Sequence, residues 1–295
     1  MDAHGGARAL RALGAARAQL DQRPAGPRLT ITALYTPNGQ DTWRPNEVTR
    51  GPWDPLAQHG GAPAALLGGL LDEAEPRGDM RVVRVSFELL RPVPLTDLRA
   101  EVEVVRPGRR VQLVEGRLYA DDRFVMKATA LRVRRAPGAS PEVGSPGDEP
   151  PPGPEHGEPR HLDRLDIGMP SFAVHGVEIR FVEGSFGPGP AVAWIRLRGP
   201  VREGHEPTPL ERALAAADFG NGVSAELDWN EHVFINPDLT VHIEREPEGE
   251  WVALDARTRV ATDGTGLAES VLFDRRGRIG RAVQALLVEA RPNAR

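Results

Sequence analysis

Two stretches of this chain can be laid over one another at a constant spacing of 154 residues. Val85, Ser86, Phe87, Leu89 and Arg91 fall on Leu239, Thr240, Val241, Ile243 and Arg245. Leu113, Glu115, Leu118 and Tyr119 fall on Leu267, Glu269, Leu272 and Phe273. If one residue is inserted at the turn Asp274-Arg275-Arg276-Gly277, then Ala130, Leu131 and Val133 match Ala285, Leu286 and Val288. A spacing this long does not suit a solenoid and describes a duplicated domain.

Both halves read in the same element order. An apolar helical stretch comes first, His59–Ala74 and then Pro209–Phe219. Long alternating strands follow: Arg81–Arg91, Leu98–Val105, Val111–Tyr119 and Phe124–Arg134 in the first half. The second half offers Val233–Arg245, Glu250–Val260, Gly266–Phe273 and Arg278–Ala290. Asp121-Asp122 and Arg276-Gly277 mark hairpin turns. One helix before consecutive strands predicts an α+β fold in which a curved antiparallel sheet wraps its helix, repeated twice.

Four segments follow from this. Residues 1–28 form an N-terminal extension, with Leu10, Leu13, Ala16 and Leu20 near one helical stripe that Arg17 interrupts. Residues 29–135 are the first domain and 161–295 the second. Between them, 136–160 carries Pro137, Pro141, Pro146, Pro150, Pro151, Pro152, Pro154 and Pro159 among Gly, Ser and acids. Such a segment is expected to be extended or disordered and open to proteases.

Composition removes several functions. With no cysteine, a disulfide scaffold, a Cys-zinc site and a Cys nucleophile are excluded. A net charge of −5 argues against a nucleic-acid partner. No apolar run reaches the length of a membrane span, and the N-terminus lacks a signal-peptide pattern, so a cytoplasmic location is the default expectation. The sequence has no G-x-S-x-G, P-loop or G-x-G-x-x-G, and the histidines lack metal-ligand spacing. No metal and no cofactor are expected.

The repeat shows where one half is polar and the other is not. At the matched spacing Asp218 stands opposite Ala64, Asn236 opposite Val82 and Gln284 opposite Thr129. Burying such groups costs free energy unless they are satisfied or used. Each alone has a structural reading: a helix cap for Asp218, an Asn-Pro turn for Asn236, a satisfied strand amide for Gln284. Together, on one half only, they point to a site. His59-Gly60-Gly61 opens the first helix, where backbone N–H groups are free to face a ligand; the alternative is an ordinary helix start that needs close backbone approach.

The stretch Gly51-Pro52-Trp53-Asp54-Pro55-Leu56-Ala57-Gln58-His59-Gly60-Gly61-Ala62-Pro63 resembles the opening of bacterial thioesterase-like double hotdog proteins. Arg91-Pro92-Val93-Pro94, Val105–Val111, Asn236-Pro237-Asp238-Leu239-Thr240 and Gly280–Leu286 are similar to the same family. The resemblance covers about residues 30–290 outside the linker, and the family is related to acyl-CoA thioesterase II. It implies two fused hotdog folds, a thioester of CoA or of acyl carrier protein as substrate, and a water held by Asp, a hydroxyl residue and Gln. Asp218 matches the Asp and Gln284 the Gln. Asn236 falls where the hydroxyl belongs, and Thr240 is the nearby hydroxyl that could replace it. On this basis Asp218, Asn236 and Gln284 are the expected catalytic residues, and His59, Gly60, Gly61 and Thr240 the expected substrate contacts. The reading admits a homo-oligomer. Two alternatives are a hydratase or dehydratase using His59 and Asp218 as acid and base, and an acyl-binding protein without turnover.

Overall fold

The computed structural model describes residues 31–141, 143–144, 147–159 and 168–291. The expected N-terminal extension, with its helical stripe, lies outside them. The strands in chain order are β1 (Tyr35–Pro37), β2 (Thr42–Pro45), β3 (Met80–Leu89), β4 (Leu98–Arg106), β5 (Val111–Ala120), β6 (Arg123–Arg134) and β7 (Glu158–Pro159). They continue as β8 (Val177–Glu183), β9 (Ala191–Leu197), β10 (His232–Ile235), β11 (Asp238–Ile243), β12 (Val252–Val260), β13 (Thr265–Asp274) and β14 (Gly277–Ala290). The helices are α1 (Gly61–Glu73), α2 (Pro209–Ala217) and the single turn α3 (Gly220–Val223).

All strand pairings are antiparallel, in one sheet of order β1-β2-β4-β5-β6-β3-β11-β14-β13-β12-β9-β8-β7, with β10 also on β14. The order of the first six strands is mirrored by β8/β9, β12, β13, β14 and β11, and β3 joins β11 at the centre. There Val85 faces Val241, Ser86 faces Thr240 and Phe87 faces Leu239. Exchanging the halves at the 154-residue spacing maps this set of pairs onto itself, so Ser86 and Thr240 lie on the pseudo-two-fold axis. Their hydroxyls hydrogen-bond at 3.2 Å. The chain is therefore a double hotdog, whose apolar core runs across both halves through Leu67, Val85, Leu118, Leu214, Leu239 and Leu272.

The strand irregularities repeat as well. Register slips between Leu118 and Tyr119 in β5, and between Leu272 and Phe273 in β13. Both following hairpins turn in two residues, closing Ala120 on Arg123 and Asp274 on Gly277. The expected insertion at the second turn is thus absent and the spacing stays at 154. Gln284 faces Ala268 as Ala130 faces Val114, so its counterpart is Ala130 and not Thr129. The correction sharpens the asymmetry, because both positions point into the core.

Three further points differ from the sequence reading. The second helix is not one long rod: α2 ends at Asp218, and α3 begins two residues later. The hairpins β1/β2 and β8/β9 precede the helices and extend each sheet beyond the strands read from sequence. The proline-rich segment is also docked where it is described. Trp194 Nε1 donates to the Pro152 carbonyl at 2.7 Å, Arg278 N donates to Asp148 O at 2.9 Å, and Glu158 pairs with Phe181. Prolines cannot donate to a sheet, but their carbonyls still accept, and Glu158–Pro159 forms the last strand of the sheet, beside β8.

Helix α1 is apolar on nearly every side because it is enclosed by sheet and by α2. Glycines permit that closeness: a Cβ on Gly68 would stand 2.1 Å from Leu214 Cδ1. A capping box starts α2, with Glu211 N donating to Thr208 Oγ1 at 3.1 Å and Thr208 N donating to Glu211 Oε2 at 2.8 Å.

Candidate active site

Asp218 is the residue at which α2 ends, and it is 5% exposed. A carboxylate there opposes the dipole of its own helix. It lies instead beside Gly60, at the N-terminal end of α1 from the other half, where the dipole favours an anion. A Cβ on Gly60 would stand 2.8 Å from Asp218 Oδ2, so only glycine leaves room for the carboxylate.

Two amides converge on Asp218 Oδ1. Asn236 Nδ2 donates at 2.9 Å and Gln284 Nε2 at 3.2 Å. Gln284 is 1% exposed, and its orientation is fixed from the opposite end, where Asn221 N donates to its Oε1 at 3.2 Å. Nε2 must therefore face Asp218. Asn236 Nδ2 also donates to Asp238 O at 3.1 Å. Both of its amide hydrogens are engaged, and no group among the described residues bonds its Oδ1.

Asn236 reaches Asp218 because the strand is interrupted between β10 and β11. Ile235 faces Leu287 and Thr240 faces Val283, which leaves one extra residue between them. The same irregularity separates Val82 from Arg84 in β3. The break reverses side-chain alternation, so Asn236 turns inward whereas Thr240 lies opposite the buried Leu239 and Val241. Thr240 binds Ser86 on the central seam and does not line the cavity, contrary to its expected role.

His59 brings a second contact. Its Nδ1 lies 3.0 Å from Asp218 Oδ2 and 3.1 Å from Gly61 N. One ring nitrogen cannot donate to the carboxylate and accept from the amide at once, so the tautomer selects between them. Phe219 stacks on the ring with centroids 4.4 Å apart, and Phe172 flanks it at 5.2 Å. Gly60 N–H has no acceptor among the described residues.

Asp218, Asn236, His59 and Gly60 open on a cavity of about 300 Å³, whereas Gln284 and Gly61 lie behind its wall. Its wall includes Trp53, Phe186, Phe219, Trp229, Ile235 and Val93. Trp53 and Trp229 stack at 4.4 Å. Behind His59, Gln58 is held by the Tyr35 hydroxyl and donates to Pro94 O at 2.7 Å. Asn221, Gln58 and the aromatic wall were not singled out from sequence, since each acquires its role only through partners distant in the chain. Among the described residues no three His, Asp or Glu side chains are grouped to hold a metal ion, and no helix is long and apolar enough to cross a membrane.

The fold is a double hotdog in which a carboxylate from one half, held by two amides, meets the helix start of the other. Comparison with known families gives its lineage. The acyl-CoA thioesterase N-terminal domain matches residues 49–133 and the acyl-CoA thioesterase C-terminal domain matches residues 137–288. The chain belongs to the acyl-CoA thioesterase family.

Among solved structures it is similar to a provisionally assigned thioesterase II of Thermobifida fusca YX, at 18% identity and TM-score 0.68, covering 90% of this chain and 100% of that one. A hot dog fold protein of unknown function from Alicyclobacillus acidocaldarius gives 17% identity and TM-score 0.66, covering 91% and 100%. The acyl-CoA thioesterase II TesB2 of Mycobacterium marinum gives 15% identity and TM-score 0.57, covering 86% and 94%. At these identities the likeness establishes the fold. A comparison of the sequence with curated proteins finds no match.

Proposed function

We propose that this site hydrolyses acyl thioesters, with acyl-CoA as the substrate, through direct attack of water. The observation that carries the reading is the Asp218 carboxylate, held by Asn236 and Gln284 on the cavity wall and set against the start of α1. A thioester is already activated toward attack, so no covalent nucleophile is needed. Asp218 takes a proton from water as the water oxygen bonds to the thioester carbonyl carbon. The open Oδ1 of Asn236 positions that water, and Gln284 orients the carboxylate that receives its proton, which lowers the entropic cost of attack. The unpaired Gly60 N–H is the donor for the developing oxyanion. Collapse of the tetrahedral intermediate breaks the carbon–sulfur bond, and the thiolate recovers the proton from Asp218. The products are a free acid and CoA.

Two substitutions test these roles by the rate of thiol release. Gln284→Ala should lower kcat by about tenfold, less than loss of the base, because it loosens the Asp218 carboxylate without removing proton transfer. Asn236→Thr supplies the hydroxyl that the thioesterase II pattern carries and should leave kcat equal or higher. Unchanged kcat in Gln284→Ala, together with a large loss in Asn236→Thr, would contradict these roles.

The His59–Asp218 contact favours one other reading. An acid and a base drawn from opposite halves would suit addition or removal of water across an acyl thioester double bond. The products separate the two: hydrolysis yields free thiol, hydration does not. Binding of acyl-CoA with neither product would mark an acyl-binding protein.

A further inference from the structure

The cavity wall contains one arginine, Arg91, which is shared with a second opening. Together with Leu90 it also lines a neighbouring open cleft of about 530 Å³, completed by Arg123 and Phe124. Backbone pairing holds this arrangement in place. Leu90 N and Arg91 N both donate to Val125 O, at 3.0 and 3.3 Å, which brings the end of β3 against the start of β6. Both arginines are exposed, and neither guanidinium has an ion-pair or hydrogen-bond partner among the described residues. Their neighbours on the same half are engaged: Arg99 with Glu101, Arg117 with Glu115, Lys127 with Glu115 at 2.9 Å. The adjacent turn Asp121-Asp122 is acidic, and there Asp122 faces Arg99 at 3.9 Å. Leu90, half exposed, forms an apolar step between cleft and cavity.

We infer that Arg91 and Arg123 form an anion subsite for the phosphate carried by the leaving half of the substrate, the phosphorylated pantetheine arm. The inference rests on the thioester reading above. In that arrangement the acyl group occupies the aromatic-walled cavity, the thioester carbonyl reaches Asp218 and Gly60, and the arm leaves over Leu90. Guanidinium groups suit phosphate because they present forked donors with a fixed charge. Two uncompensated positive charges beside a cavity mouth also steer anionic substrates toward it.

The test uses one acyl group on three carriers: CoA, 4′-phosphopantetheine and N-acetylcysteamine, the last without phosphate. In Arg91→Gln/Arg123→Gln, kcat/KM for the CoA thioester should fall about tenfold or more through KM, as expected for loss of charged hydrogen bonds. The N-acetylcysteamine thioester should change less than about twofold, since it carries no charge for the subsite to recognise. The phosphopantetheine thioester should lose as much as the CoA thioester; a loss confined to CoA would assign the arginines to the nucleotide phosphates and overturn the subsite. An equal loss on all three carriers, or no loss on CoA, overturns the subsite. Calorimetry with desulfo-CoA reads the subsite apart from catalysis: the wild type should bind it and the double variant should bind about tenfold more weakly. If no carrier is hydrolysed by the wild type while desulfo-CoA binding still depends on the two arginines, the hydrolysis reading fails and the subsite stands. If desulfo-CoA binds both proteins equally, the subsite fails.

Discussion

Asp218→Asn should lower kcat for thioester hydrolysis by about 10²-fold or more, the range expected when a general base is removed. The substitution is informative because the geometry has reason to survive it. Oδ1 of an asparagine at 218 still accepts from Asn236 Nδ2 and Gln284 Nε2, now 2.9 and 3.2 Å from the carboxylate oxygen. The new amide nitrogen would face His59 Nδ1, which can accept from it in its neutral form. What disappears is the negative charge and its basicity. The melting temperature should therefore change little, because relief at the C-terminal end of α2 is offset by losing an anion at the start of α1. A large drop in both melting temperature and activity would return Asp218 to a structural role. Full activity at unchanged stability would remove it from the mechanism.

The largest stability effect is expected at Arg202. This guanidinium is 2% exposed and joins the helices of the two halves. Nη1 and Nη2 each bond Glu73 at the end of α1, both at 2.6 Å, and Nε bonds Glu211 in α2 at 3.0 Å. Burial holds the Glu211 carboxyl above its ordinary range, despite the pull of Thr208 N–H and Arg202 in the opposite direction. For Glu73 the hydrogen bond from Arg202 wins, and its carboxyl lies below the ordinary range. Arg202→Ala leaves Glu211 buried without its cation and should cost roughly 3–5 kcal/mol.

The pH dependence has a definite sign. Arg202 stabilises only the ionised carboxylates, so its loss matters most above the range where Glu73 and Glu211 titrate. As pH falls and these groups take up protons, the melting-temperature difference between variant and wild type should shrink. Arg202→Ala/Glu211→Gln should recover part of the loss at neutral pH. A difference that is small at neutral pH and grows on acidification would contradict the assignment.

Much of this architecture was readable from the chain itself. Ser86 and Thr240, aligned only as two members of a spacing, lie on the axis that relates the halves. Asp218, Asn236 and Gln284, chosen because the other half lacks them, meet within hydrogen-bond distance. The misreadings have physical causes. Ala130, Leu131 and Val133 resemble Ala285, Leu286 and Val288 strongly enough to suggest an inserted turn residue. Strand pairing instead fixes Gln284 opposite Ala130, and a register set by hydrogen bonds outweighs apolar likeness. Thr240 is the nearest hydroxyl along the chain from Asn236, but the strand break between them puts it on the other face of the sheet. The prolines of 147–159 suggested a free linker, yet Trp194 and Arg278 use their neighbourhood's carbonyls as acceptors. Nothing local could have revealed Asn221, which orients Gln284 across 63 residues, or the Arg202–Glu73 pair across 129. Such pairs exist only once the sheet has closed.

The central claim is that water attacks a thioester at Asp218, and product analysis tests it most directly. Wild-type protein is incubated with a panel of saturated and enoyl acyl-CoAs while free thiol, free carboxylic acid and enoyl absorbance are followed together. The account predicts thiol and acid released in equal amounts from at least one acyl-CoA, with the enoyl chromophore of unsaturated substrates intact, and a rate that collapses in Asp218→Asn. Loss of enoyl absorbance without thiol release, or tight acyl-CoA binding with no product at all, would contradict it.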